Sequence, residues 1–330
     1  MTAVAESTRS AGPPVGAEGS ELVPGYRLIA LLNRGARLDV YDAWSLERES
    51  RCVIKTLRPD RAADPRAANA LTREGRLLRR FTHPHLVRAY EVTRTTDGTR
   101  PAVVLETLGG ETLSHLIGRL EEEDRHLDPT EVAVLGQQLA SVLTYLHRQG
   151  WLHLDLKPSN IIVVGGSARL LDLSIARRPG RARPGTGTID YLSPEQARGG
   201  HLTAAADVWG LGAVLFAALV GEPPYGYLRS SLDGGSESDS SAATTGSDAS
   251  SDRTDTTSTG PFETADAEVT YPQLMSDPPP VGARSRVPLP IARLVDACLR
   301  REPVARPSLA EVAEQLRGWL ATVEFERTAS

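Results

Sequence analysis

The chain of 330 residues sets 37 Lys and Arg against 42 Asp and Glu, a formal net charge of −5, and 40% of it is hydrophobic. That size and apolar content suit a globular protein of one large or two moderate domains, and the mild acidity without a long basic run points away from nucleic-acid and anionic-membrane partners. Cys52 and Cys298 lie far apart and give no metal spacing, so two packed thiols in a reduced, cytoplasmic setting are expected.

In chain order, residues 1–23 lack the basic start and apolar run of a signal peptide and read as a disordered leader rich in Ala, Ser, Gly and Pro. Tyr26–Leu32, Val40–Trp44, Cys52–Leu57, Ala89–Arg94 and Ala102–Glu106 are short β-prone runs separated by turn residues. Between the third and fourth, Leu71–Phe81 has a helical pattern. Glu74, Leu77, Leu78 and Phe81 recur on one face, so the Glu74 carboxylate is expected to look toward the sheet.

After Gly109-Gly110 the pattern turns to long helices. Asp128-Pro129-Thr130-Glu131 combines a cap, a first-turn proline and a capping box, and Gly150 supplies a left-handed stop, which predicts a helix of about twenty residues. Further helices are predicted over Asp207–Val220, Ile291–Leu299 and Leu309–Val323, the last opened by Ser308 and Glu311. The most apolar run, Val208–Val220, is shorter than the roughly 20 residues of a membrane helix. It reads as a buried core helix, and no membrane anchor is expected. Ser230–Gly260 is dominated by Ser and Thr and reads as a flexible insertion over about 229–262. Residues 326–330 are expected to form a tail.

The chemistry concentrates in His153-Leu154-Asp155-Leu156-Lys157-Pro158-Ser159-Asn160, followed twelve residues later by Asp172-Leu173-Ser174. This order places a base, a phosphate-binding cation and two metal-ligating side chains close together. It resembles the H-R-D-L-x-x-x-N and D-F-G motifs of protein kinases, with Leu154 in place of Arg and Asp172-Leu173-Ser174 in place of D-F-G. The resemblance runs from about Tyr26 to Val323 and is similar to that of bacterial, eukaryotic-like Ser/Thr kinases. It implies an α+β, bilobal protein-kinase-like fold over 24–325, with a small β-rich N-lobe (about 24–108) and a larger, mainly helical C-lobe (about 109–325).

By that resemblance Asp155 is the catalytic base and Lys157 steadies the γ-phosphate, a Lys here being similar to the Ser/Thr-specific pattern. Asn160 and Asp172 are the implied ligands of Mg²⁺ or Mn²⁺. In Cys52-Val53-Ile54-Lys55 the strand period puts Val53 and Lys55 on one face. Lys55, held by Glu74, would then reach the α and β phosphates of ATP while Val53 lies against the adenine. Gly35, Val40 and Ile162 are further implied nucleotide contacts. Leu105 would flank the back of the adenine pocket, and the backbones of Glu106 and Leu108 would meet the purine edge.

Gly187–Glu195 looks like the end of an activation segment, in which Thr188 would hydrogen-bond toward Asp155 and Lys157, and Glu195 would pair with Arg306. Asp207 resembles the residue that holds the catalytic loop's backbone. There are also departures. Where the family has G-x-G-x-x-G, this chain has Asn33-Arg34-Gly35-Ala36-Arg37-Leu38. Glycine there permits positive φ and close approach to phosphate, so Leu38 is expected to weaken nucleotide binding, with Arg34 and Arg37 as electrostatic compensation. Val53 in place of Ala is expected to narrow the adenine pocket, and Ser174 to restrict the peptide after Asp172. Leu154 removes an arginine that in many relatives pairs with a phosphorylated activation segment, so activity is expected not to depend strongly on phosphorylation of Thr186 or Thr188.

The implied function is transfer of the γ-phosphoryl group of ATP to Ser/Thr hydroxyls of protein substrates, with Ser230–Gly260 of the chain itself offering acceptors. The alternative is a pseudokinase, a nucleotide-binding or scaffolding module. No oligomeric state is read from the sequence.

Overall fold

The computed structural model describes residues 16–226 and 271–329, so the insertion at about 229–262 and the first fifteen residues of the leader lie outside the described residues. The chain divides into two compact units, Met1–Phe81 with Arg88–Thr107, and Thr82–Val87 with Leu108–Ser330.

In the first unit β1 (Tyr26–Arg34), β2 (Leu38–Ser45), β3 (Ser50–Leu57), β4 (Ala89–Arg94) and β5 (Pro101–Glu106) form an antiparallel sheet in the order β1-β2-β3-β5-β4. The period-two pattern is realised in β3, where Cys52, Ile54 and Thr56 are buried and Val53 and Lys55 half-buried. On one side α1 (Pro65–Arg80) starts at Asp64, whose carboxylate accepts from the Arg66 and Ala67 backbone N–H groups, with Pro65 at the first helical position. It buries Leu71, Glu74, Leu77 and Leu78. Gly75 makes this approach possible, because a Cβ there would come within 2.6 Å of Val103 Cγ2 and 2.7 Å of Val92 Cγ2. Val103 is the cross-strand partner of Lys55. The helix is therefore seated over the strand position that carries the lysine.

The sheet's other apolar cluster joins Tyr26, Leu28, Tyr41, Ala43, Cys52, Ile54, Ala102 and Val104 with Val23. Residues 16–23 thus differ from the expected disordered leader. Val23 is fully buried, Leu22 packs against the cluster, Leu28 N–H donates to Ser20 O at 2.9 Å and Gly19 N–H to Leu28 O at 2.8 Å. Two adjacent apolar residues suffice to dock this stretch, too few to stand out from the polar composition around them.

The second unit begins with β6 (Glu111–Thr112), α2 (Leu113–Glu122) and α3 (Pro129–Arg148). The capping box at Asp128 and Glu131 is present, and Gly150 after the helix has φ of +78°. β7 (Ile161–Val164) and β8 (Ser167–Leu170) join β6 in a small sheet, and β9 (Gly180–Ala182) pairs with β10 (Gly200–Leu202) across α4 (Pro194–Arg198). α5 (Ala204–Val220) is buried from Ala206 to Leu219 and packs against α3, in agreement with its reading as a core helix. Among the described residues no helix is long and apolar enough to cross a membrane.

α6 (Pro272–Met275), α7 (Leu289–Cys298) and α8 (Leu309–Ala329) follow. α8 runs past the expected end at Val323 and through most of the expected tail 326–330, since Glu324–Ala329 contains neither Gly nor Pro to stop it.

Both cysteines are buried free thiols. Burial pushes Cys52 up to about 11 and Cys298 up to about 12, so both stay protonated and unreactive at neutral pH. Iodoacetamide at pH 8 is expected to leave the folded protein unlabelled and to alkylate both residues after denaturation. Rapid labelling of either in the native protein would contradict their packing.

Candidate active site

In the first unit Lys55 Nζ lies 2.9 Å from Glu74 Oε1, with side-chain exposures of 12% and 1%. This is the ion pair expected from the helical spacing of Glu74. Val40 of β2 and Lys55 are register partners, as are Val53 and Leu105; Val40 and Val53 are half-buried and Leu105 is buried. Glu106 closes β5 with its backbone N–H donated to Arg88 O at 3.0 Å and its carboxylate accepting Arg88 N–H at 2.8 Å.

The β1–β2 hairpin corrects one expectation. Gly35 N–H donates to Leu38 O at 2.8 Å, and neither Asn33, Gly35 nor Leu38 has positive φ. A Cβ on Gly35 would meet nothing closer than Leu38 O at 3.4 Å. The turn needs no left-handed residue, so Leu38 opens β2 without strain. Arg34 Nε sits 3.3 Å from Oδ1 of the buried Asp39, whose Oδ2 accepts the Tyr41 hydroxyl at 3.3 Å. Arg34 is thus ion-paired with Asp39, and Arg37 is exposed.

In the second unit the loop at 153–160 is fixed at its start by Asp207, in the first turn of α5. Its Oδ2 accepts His153 N–H at 2.8 Å and His147 Nε2 at 2.7 Å, and its Oδ1 accepts Leu154 N–H at 2.7 Å. Burial pushes this carboxyl up, but the His147 hydrogen bond, the neighbouring histidine charges and the Leu154 N–H outweigh it, and its pKa is held below the usual value. Leu154 has φ of +68°, a left-handed conformation that a non-glycine residue keeps only when its surroundings impose it. Its side chain is buried with Leu152, Leu202 and Ala206, and Ile175 and Ala182 pack against them. Leu154 thus makes an apolar contact with residues of β9 and β10.

Asp155 Oδ1 accepts the Thr188 hydroxyl at 2.6 Å, and Lys157 Nζ donates to Thr188 Oγ1 at 2.8 Å while lying 3.4 Å from Asp155 Oδ2. Asp155 and Lys157 are both buried. Asn160 Nδ2 donates to Asp155 O at 2.9 Å, which turns its amide oxygen the other way. Asp172 Oδ1 accepts Ser174 N–H at 2.6 Å, and Leu173 is buried. Ser174 takes no positive φ, so the serine is accommodated here without the backbone freedom that glycine would supply. Ile162 is half-buried in β7, paired with Thr112 and Arg169, while Leu108 follows β5 as the first residue of the second unit's longer segment. Arg306 makes a two-point ion pair with Glu195, Nη1 to Oε1 at 2.6 Å and Nη2 to Oε2 at 2.8 Å.

Two residues of this arrangement escaped the sequence reading. His147, in the last turn of α3, looks like any helix-terminal histidine. Gln196, whose Nε2 donates to Leu154 O at 2.8 Å and Thr186 O at 2.7 Å, shows in the sequence only as a capping-box spacing from Ser193.

A family model described as "Protein kinase domain" matches residues 26–316, and the chain belongs to that family. It is 32% identical over 209 residues to serine/threonine-protein kinase PknB of Mycobacterium leprae, covering 61% of this chain and 33% of the relative. It is 31% identical over 274 residues to serine/threonine-protein kinase PkaA of Streptomyces coelicolor, covering 80% of this chain and 42% of the relative. The chain thus spans less than half the length of these relatives. Among solved structures, the kinase domain of Mycobacterium tuberculosis PknI superposes with a TM-score of 0.63 at 19% identity, covering 92% of this chain and 99% of that one. That likeness shows the fold.

Proposed function

We propose that the chain is an ATP-dependent Ser/Thr protein kinase acting on protein hydroxyls. The observation that carries this reading is the Asp155–Thr188–Lys157 network, in which a carboxylate, an ammonium group and the activation-segment threonine are held together. Asp155 is placed to orient an acceptor hydroxyl and take its proton. Lys157 holds positive charge beside that carboxylate, where a transferring phosphoryl group would need it.

The donor set fits the expected cofactors. Asn160 presents an amide oxygen and Asp172 a carboxylate, hard ligands of the kind Mg²⁺ or Mn²⁺ takes together with phosphate oxygens. Lys55, oriented by Glu74, would bind the α and β phosphates of ATP. Gly35, Val40, Val53 and the backbone of Glu106 are the nucleotide contacts proposed in the first unit, and Ile162 and the backbone of Leu108 those proposed in the second. When bound, ATP and the cation supply the γ-phosphoryl group and neutralise its charge. The two buried free thiols support a reducing, cytoplasmic setting.

Phosphoamino-acid analysis of an acidic or basic carrier protein incubated with the chain, ATP and Mg²⁺ tests the assignment. Phosphate on Ser or Thr, lost with Lys55→Met, is expected. Phosphate on Tyr alone, or on a small metabolite alone, would overturn it. The pseudokinase alternative rests on Asn33, Leu38, Val53 and Ser174, and the same experiment separates it from a working kinase.

The Thr186 hydroxyl donates to Arg183 O, at 2.8 Å, while Leu154 lies in its apolar cluster. Thr186→Ala is therefore expected to keep kcat/KM within about twofold, the scale of a surface substitution of about 0.5 kcal/mol. Abolished activity in a folded variant would show that phosphorylation there is required.

A further inference from the structure

Gln196 is 2% exposed in α4 and uses every polar atom of its side chain. Oε1 accepts Ser193 N–H at 3.2 Å, while Ser193 Oγ accepts Gln196 N–H at 3.3 Å, and this capping box fixes which end of the amide faces the helix start. Nε2 therefore points away from the cap, and its two hydrogens go to two different carbonyls, Leu154 O at 2.8 Å and Thr186 O at 2.7 Å. Leu154 immediately precedes Asp155; Thr186 lies two residues before Thr188, whose hydroxyl meets Asp155.

The two segments come together closely here. Gly187 has φ of +126°, and a Cβ on it would lie 2.8 Å from Leu154 O and 3.1 Å from Gln196 Nε2. Only glycine fits between them. The backbone adds a third tie, Gly185 N–H to Gln196 O at 2.9 Å. Leu154, by contrast, offers the activation segment packing but no hydrogen bond from its side chain.

We infer that Gln196 is a positioning residue for phosphoryl transfer, its amide clamping the Leu154 and Thr186 carbonyls so that Thr188 stays in register with Asp155. It touches neither substrate nor nucleotide and acts through those two peptides. Its kinetic consequences rest on the proposed kinase activity, but its structural consequence does not.

The test uses the full chain with Gln196→Glu, which keeps the size and the acceptor toward Ser193 but turns an ionised oxygen on two carbonyls, and Gln196→Met, which removes every polar contact. Both are expected to lower kcat by about 100-fold, the cost of a misplacement of about 1 Å, with KM for ATP unchanged. Adding Thr188→Ala to either should cost much less than Thr188→Ala does in the parent, because the two residues act on one contact. Backbone amides over 185–188 should exchange with deuterium faster in both variants without nucleotide. Unchanged exchange, or fully additive effects of the Gln196 and Thr188 substitutions, would overturn the inference. A parent chain that transfers no phosphate would overturn the kinase reading instead, and the exchange result alone would then decide the role of Gln196.

Discussion

Asp155→Asn is expected to lower kcat by about 10²–10⁴-fold, the usual contribution of a positioned acid–base group, with KM for ATP within about twofold. The substitution is nearly isosteric. Its amide oxygen can still accept the Thr188 hydroxyl, which now reaches Oδ1 at 2.6 Å. Its amide nitrogen, however, would face two donors, Lys157 Nζ at 3.4 Å and Asn160 Nδ2 at 3.3 Å, in place of the carboxylate oxygen that accepts from them. The group that takes the acceptor's proton is lost, while Lys55 and Glu74 are untouched. A fall in kcat without a change in ATP affinity is the signature of an interaction made at the reacting centre. Steady-state kinetics that show less than a tenfold fall would remove Asp155 from the role of base.

Glu195→Gln should destabilise the second unit by about 3–5 kcal/mol, because it leaves a buried charge without its counterion. The Arg306 side chain is fully buried, and all its N–H donors are engaged: Nε to Arg300 O, Nη1 to Glu195 Oε1 and Ala205 O, and Nη2 to Glu195 Oε2 and Arg301 O. The guanidinium also lies 5.0 Å from the Trp209 ring centroid. This one group therefore ties α4 to α5 and to the segment before α8. Arg306→Lys is expected to fail nearly as badly, since a single ammonium cannot satisfy five acceptors in a planar fork. Urea unfolding followed by tryptophan fluorescence should show a lower midpoint for both variants. A midpoint within experimental error of the parent would show that the pair contributes little.

The parts of the fold and site that could be read from the sequence are those in which chemistry follows from spacing. Glu74 recurs with Leu77 and Leu78 on one helix face, and that face meets β3 at Lys55. The Asp128 capping box marks the start of α3 to the residue, and Ser308 with Glu311 does the same for α8. The Thr188–Asp155 and Glu195–Arg306 contacts were expected only from family resemblance, since partners 33 and 111 residues apart leave no local pattern.

What could not be read depends on backbone conformation and tertiary contact. The β1–β2 turn was expected to need glycine for positive φ, yet it closes through Gly35 N–H and Leu38 O with ordinary φ values. Leu154 is the converse, an ordinary residue in a left-handed conformation imposed by Asp207 and Gln196. β9 and β10 are three residues each, too short for a period to register. The docking of residues 16–23 comes from Val23 entering a cluster that four strands build.

The most direct test of phosphoryl transfer is incorporation of label from γ-labelled ATP, with Mg²⁺ or Mn²⁺, into the chain itself and into a generic Ser/Thr-containing protein, beside Asp172→Asn. Incorporation by the parent that disappears in the variant is the predicted result. No incorporation above the variant with either metal would contradict the kinase assignment and leave a nucleotide-binding or scaffolding module in its place.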